Sequence, residues 1–126
     1  MTGTCSKNRM KASLLCLSAG MVITGADRPA DGEEDELVPF FGQLARLPLG
    51  PARLALMTGA TVLLGACYCD PGKGYVLEVT GPIEMVDTGH RKEDVLASTR
   101  RLAEVMETYI RTRPTQWLMF HRLWPA

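Results

Sequence analysis

Ala26-Asp27-Arg28-Pro29, Val38-Pro39-Phe40-Phe41-Gly42, Leu47-Pro48-Leu49-Gly50-Pro51-Ala52 and Leu54-Ala55-Leu56-Met57-Thr58-Gly59-Ala60 follow one another between positions 26 and 60. Pro39 restricts Val38 to the β region and places Leu37 to Phe41 at a sheet edge. Pro51 falls in the first turn of a helix predicted over Pro48 to Thr58, where its missing N–H costs nothing, and Gly59 ends that helix. Two adjacent aromatics, Phe40 and Phe41, are followed at once by Gly42. So many special-backbone residues in one stretch indicate a shaped site more than a plain connector. The acidic run Asp31-Gly32-Glu33-Glu34-Asp35-Glu36 reads as a solvated loop, since its spacing does not match a calcium loop.

Upstream, Met1 to Arg9 is polar and irregular, a disordered start. Met10 to Ala19 is helix-compatible and Gly20 is a stop signal. Met21-Val22-Ile23-Thr24 reads as a short buried strand leading to Asp27-Arg28, which makes an α/β unit. A second outline competes here. Lys7, Arg9 and Lys11 precede an apolar patch, and Thr24-Gly25-Ala26 offers small residues for signal cleavage, which would leave a small secreted domain. Ser18 and Gly20 interrupt that patch and weigh against it.

Downstream, Thr61 to Cys69 is an apolar run suited to a central strand buried on both faces. Asp70-Pro71-Gly72-Lys73-Gly74 is a turn, and Tyr75 to Thr80 alternates, so the pair predicts an antiparallel hairpin. Gly81-Pro82 closes it, and Ile83 to Val86 is expected to be extended. From Lys92 to Arg111, Val95, Leu96, Leu102, Val105, Met106, Tyr109 and Ile110 recur at helical spacing. Glu93 and Asp94 near the start and Arg111 and Arg113 near the end suit the helix dipole, and Pro114 stops the helix.

A chain of 126 residues, 46% apolar and 22% charged, is one ordinary domain that buries about two thirds of its unfolded surface. Its formal charge of zero gives no overall electrostatic case for nucleic acid. The sequence has no uninterrupted apolar run of about 18 residues, as a membrane-spanning helix needs. Of the four cysteines, Cys5, Cys16, Cys67 and Cys69, none forms a Cys-x-x-Cys pair or lies near a histidine, so zinc has no support. They read as small apolar fillers in a reducing compartment, with Cys67 and Cys69 on one face of a strand.

The motifs quoted at the outset, with Thr58-Gly59-Ala60, Pro114-Thr115-Gln116-Trp117 and His121-Arg122-Leu123-Trp124, resemble the bacterial lipid A late-acylation acyltransferases and their mannosyl-phosphatidylinositol-acylating relatives. The shared features are a strand ending in Asp-Arg, Phe-Phe-Gly, Gly-Pro-Ala-x-Leu-Ala, Thr-Gly-Ala, Pro-x-Gln-Trp and His-Arg-x-Trp. They run in order from about Met10 to Trp124. The resemblance implies a partial α/β acyltransferase fold: a mixed β-sheet flanked by helices, with the N-terminal half missing and residues 10–126 forming the C-terminal part of the domain. It implies transfer of an acyl chain from acyl carrier protein or acyl-CoA to a sugar hydroxyl of a membrane glycolipid. No metal or organic cofactor is implied. The expected location is peripheral, on the cytoplasmic face of the bacterial plasma membrane.

In that family a histidine, four intervening residues and a carboxylate supply the general base and its orienting partner. His90 has Glu93 and Asp94 three and four residues on, one short of that step, and reads as a surface histidine with helix-start acids. His121 is followed by no carboxylate. Gly-x-Ser-x-Gly, a P-loop and a dinucleotide fingerprint are all absent from the sequence. No catalytic residue is therefore assigned, and the chain reads as the C-terminal portion of an acyltransferase, inactive alone. A complementary N-terminal chain is a possible partner, and a non-catalytic binding subunit is the alternative.

By resemblance, substrate contacts fall to Asp27, Arg28, Phe40, Phe41, Gly42 and Gly50. Arg28 has two readings: a guanidinium paired with a phosphate of donor or acceptor, or an internal ion pair with Asp27 or the acidic loop. Phe40 and Phe41 either line a lipid-facing groove or pack in the core. Gly42 and Gly50 are expected to allow close backbone approach. Trp117, His121, Arg122 and Trp124 form an aromatic-basic cluster suited to a bilayer headgroup zone, or to packing tryptophans into the domain.

Overall fold

Pro39 does hold its neighbours extended. In the computed structural model, which describes residues 20–27, 37–119 and 122–125, β1 (Leu37–Phe40) pairs antiparallel with β2 (Gln43–Arg46). Val38 and Phe40 point inward and are buried, while Pro39 between them is exposed. Next comes α1 (Gly50–Thr58), with Pro51 in its first turn. Gly59 ends it in the left-handed region at φ 69°, and its N–H donates to the Ala55 carbonyl at 2.8 Å. The buried residues of α1 are small, Ala52 and Ala55, which lets the helix lie close to its neighbour.

The second hairpin joins β3 (Leu64–Asp70) to β4 (Gly74–Thr80). Asp70 Oδ1 accepts the Gly72 and Lys73 amides at 2.8 and 3.1 Å, which closes the turn. The long helix α2 (Arg91–Thr112) packs against both hairpins and α1, and a 3₁₀ turn (Pro114–Gln116) follows it. Val38, Phe40, Leu47, Leu102, Met106 and Leu123 meet in one core. The C-terminal segment closes it, because the Arg46 N–H donates to the Leu123 carbonyl at 2.9 Å. The result is a mixed α/β arrangement, as expected, with its strands in two separate two-stranded antiparallel sheets among the described residues.

Several local expectations are corrected. Met21 to Thr24 is not a strand: Met21 and Ile23 are 83% and 87% exposed, and no described segment offers them a ladder. Strand β3 is not buried on both faces; only the face toward α2, led by Leu64, is covered. Cys67 and Cys69 are exposed free thiols, so neither is a core filler. Ile83 to Val86 pairs in no ladder among the described residues. It is held by the Ile83 N–H on the Val62 carbonyl, by Ser98 Oγ accepting the Val86 N–H, and by Arg101 donating to the Glu84 carbonyl. Met10 to Ala19 and the acidic run lie outside the described residues, as do Cys5 and Cys16.

Two anchors fix the segment that leads into α2. Gly81 has φ 147°, and a Cβ there would lie 3.0 Å from the Val62 carbonyl oxygen and 2.7 Å from Leu63 Cδ2. Asp94 is buried and accepts the Thr88 hydroxyl at 2.6 Å and the Thr88 and Gly89 amides at 2.8 and 3.1 Å. The hydroxyl bond from Thr88 leads in holding the Asp94 carboxyl below its ordinary pKa.

Gly81→Ala should therefore lower stability by about 1–3 kcal/mol, read as a shifted urea midpoint. The depressed Asp94 pKa contributes stability that is complete above the unfolded value of about 3.9 and is lost as pH falls through the folded value. Asp94→Asn should accordingly be less stable than the parent near neutral pH and lose less on acidification, in midpoints measured from about pH 7 to about pH 3.

Candidate functional site

The two-residue turn between β1 and β2 is Phe41-Gly42, and both residues are left-handed, at φ 51° and 75°. A tight hairpin of this kind wants positive φ at both positions. Glycine supplies it freely, whereas a phenylalanine there stores backbone strain of about 1–3 kcal/mol. A Cβ at Gly42 or Gly50 would meet no atom within 4 Å, so close approach by the described chain is not what these glycines serve. Gly42 is required by its backbone angle, and Gly50 opens α1.

Helix α2 holds the strained turn in place. The Phe41 N–H donates to Glu107 Oε1 at 2.7 Å, and Glu107 Oε2 pairs with Arg111 Nη2 at 3.2 Å. The Arg111 guanidinium in turn lies 5.1 Å from the Phe41 ring centre, within cation–π range. One carboxylate thus fixes a backbone amide and orients a cation over the same residue.

Four rings gather around this turn. Phe40 is fully buried, edge-on to Phe41 at 4.7 Å and stacked on Trp124 at 5.8 Å with 13° between planes. Trp117 meets Phe40 at 6.0 Å, Phe41 at 6.5 Å and Trp124 at 6.4 Å. Both indole N–H groups are used: Trp124 donates to the Phe40 carbonyl at 3.2 Å and Trp117 to Asp27 Oδ2 at 3.0 Å. Phe41, Trp117 and Trp124 are half-buried, so the cluster keeps an accessible aromatic side.

Asp27, Phe40, Phe41, Trp117 and Trp124, scattered from position 27 to position 124, are therefore brought together, with Gly42 in the adjoining turn. Gly50 belongs to a different element, and Arg122 is exposed beside buried Leu123. Arg28 and His121 lie outside the described residues. Sequence reading missed Glu107 and Arg111, whose i, i+4 spacing on the long helix looks like ordinary surface pairing. It named Gln116 only as part of the Pro-x-Gln-Trp motif and missed its contact: the side-chain amide accepts the Cys69 N–H at 2.7 Å and donates to the Cys69 carbonyl at 2.9 Å. Beside it Arg113 stacks 3.4 Å from the Tyr68 ring centre, and Tyr68, bonded to Glu78, has its phenol pKa raised mainly by that bond.

The cluster offers an aromatic wall rimmed by Asp27, Glu107 and Arg111, suited to holding an apolar chain next to a charged group. His90 sits exposed just before α2, apart from this cluster. Among the described residues no three His, Cys, Asp or Glu side chains are grouped to hold a metal ion. An open groove of about 840 Å³ between β4 and α2, with Thr80, Arg101, Glu104 and Tyr109 on its walls, includes none of the expected site residues.

The fold and this cluster define an α/β chain built around an aromatic contact surface, and similarity to known proteins gives it a family. Residues 6–126 match the family described as bacterial lipid A biosynthesis acyltransferase, and the chain belongs to that family. Phosphatidylinositol mannoside acyltransferase of Mycobacterium tuberculosis (strain ATCC 25618 / H37Rv) is 35% identical over 89 residues, covering 71% of this chain and 26% of that protein. The protein of the same description from Mycolicibacterium smegmatis is 36% identical over 89 residues, covering 71% and 27%. The chain thus spans about a quarter of the length of these curated relatives.

If Glu107 holds the strained turn, Glu107→Ala should cost about 1.5–3 kcal/mol, the range for a charge-assisted hydrogen bond. Glu107→Gln, which keeps an acceptor for the Phe41 amide, should recover part of that loss. Chemical denaturation followed by tryptophan fluorescence would read both, because Trp117 lies in ring contact with Phe41.

Proposed function

We propose that this chain is the C-terminal portion of an acyltransferase that moves an acyl chain from a thioester donor, acyl carrier protein or acyl-CoA, to a sugar hydroxyl of a membrane glycolipid. The observation that carries this reading is the Asp27–Trp117–Phe41 contact, which joins three separated family-like motifs into one cluster. Family membership and the relatives' printed activity support the reaction class. In this reading Phe41, Trp117 and Trp124 form part of the wall along which donor or acceptor chain lies. Arg28, next to Asp27 in the sequence, meets a phosphate, Gly42 shapes the turn beside this wall, and Gly50 is a further substrate contact at the start of α1. His121 and Arg122 face headgroups at the cytoplasmic side of the plasma membrane, where the assembled enzyme sits peripherally. No helix among the described residues is long and apolar enough to cross a membrane.

Neither His90 nor His121 has a carboxylate five positions on, so the reading assigns general-base chemistry to another polypeptide segment. The chain by itself is then inactive, and restoring that segment restores turnover.

The test is a chimera in which this chain replaces the matching segment of the Mycolicibacterium smegmatis phosphatidylinositol mannoside acyltransferase. It is assayed with acyl-CoA and phosphatidylinositol mannoside beside the free chain. The chimera should transfer acyl groups and the free chain should not. Trp117→Ala in the chimera should lower kcat/KM about 10-fold or more, the loss of roughly 1.4 kcal/mol of transition-state stabilisation. Transfer by the free chain would end the fragment reading, and a folded but inactive chimera would end the acyltransferase reading.

A further inference from the structure

The β3–β4 hairpin presents a face that nothing in the described chain covers. Directly paired residues project to the same side, so Gly65 with Val79, Cys67 with Leu77 and Cys69 with Tyr75 share it. None of these six is charged. Tyr75 is 86% exposed, Leu77 66% and Val79 56%, and both thiols are open. The opposite face rests on α2 through Leu64, so this one is left bare by geometry rather than by lack of apolar side chains.

Strand β3 is bare along its outer edge as well. The N–H and C=O of Cys69 point away from β4, since the Gln116 amide takes both, at 2.7 and 2.9 Å, as a neighbouring strand would. Alternation turns the same groups of Cys67 and Gly65 outward, where β3 has no strand partner among the described residues. Contact with α2 supports one face of this two-stranded hairpin, and its other face and its outer edge stay open to water among the described residues.

We infer that this face and edge form the seam at which the rest of an acyltransferase domain docks, adding a strand beside Gly65 and Cys67 and laying apolar side chains over Leu77 and Val79. The inference rests on the fragment reading above. Two further observations identify this occupant. The run from Thr61 to Cys69 has the composition of a strand covered on both faces, and the curated relatives devote nearly three quarters of their length to sequence outside the matched region. Lipid is a poorer occupant, because unpaired strand N–H and C=O groups are not tolerated in hydrocarbon. A second copy is the rival occupant, and the Gln116 clamp would confine either one to the edge at Gly65 and Cys67.

Cys67 and Cys69 lie on the seam and report on it. With Cys5, Cys16 and the relative's own cysteines replaced by serine, maleimide labelling of these two thiols is timed in the free chain and in the folded chimera. Labelling should be fast in the free chain and slowed at least ~10-fold in the chimera, as burial behind a stable interface requires. In the chimera Leu77→Asp should restore fast labelling, while in the free chain it should leave circular dichroism unchanged. Equal rates in free chain and folded chimera would overturn the inference. So would concentration-dependent protection of the free chain together with a dimer in sedimentation, which would assign the face to a second copy. Transfer activity of the same chimera is scored separately: protected but inactive removes only the acyltransferase reading, and active but unprotected removes only the seam.

Discussion

The whole arrangement depends on Phe40. It is fully buried, yet it immediately precedes the left-handed turn that closes its hairpin, so its ring and its backbone are fixed from different directions. The ring stacks on Trp124, and its carbonyl accepts the Trp124 indole N–H. That pair of contacts brings the C-terminal segment back onto β1, with Leu123 closing the core and bonding to Arg46. Trp117, at the exit of the 3₁₀ turn, is then edge-on to Phe40 and within reach of Asp27. Without a large flat ring at position 40, the two tryptophans lose their common partner, and the C-terminal segment loses its ring contact with β1.

Much of this was legible in the sequence where local chemistry is strong. Pro39, Pro51 and Gly59 marked an edge strand, a helix start and a helix end, and all three stand where backbone rules put them. Asp70 to Gly74 gave the second hairpin, and the apolar stripe gave α2. The aromatic cluster was legible only as motifs in order, because no periodicity says that position 27 touches position 117. Glu107 and Arg111 were hidden for a related reason. A carboxylate and a guanidinium four apart on a helix suit solvent, and only the placement of Phe41 above them gives them a second task.

The misreadings have a common physical cause. Met21 to Thr24 and Thr61 to Cys69 both carry the composition of covered strands, and composition reports the environment a segment is suited to rather than the one it has. In the first case the strand does not form among the described residues; in the second it forms with one face and one edge uncovered. Cysteine shows the same thing at single positions. Cys67 and Cys69 are apolar residues in an apolar run, which pointed to a core, and they stand in solvent.

Read together, these departures fall into a pattern. Where this chain supplies both partners of a contact, as at Phe40 with Trp124 or Asp94 with Thr88, the contact is made in full. Where the sequence calls for cover that the described residues do not provide, the structure leaves an apolar strand half paired. Gln116 makes the point most directly. Its amide occupies the outer edge of β3 only at Cys69, so it satisfies one residue's backbone and leaves Cys67 and Gly65 turned outward. A side chain that mimics a strand for a single residue terminates a ladder, and a ladder with a built terminus on its outer side has room there for a strand.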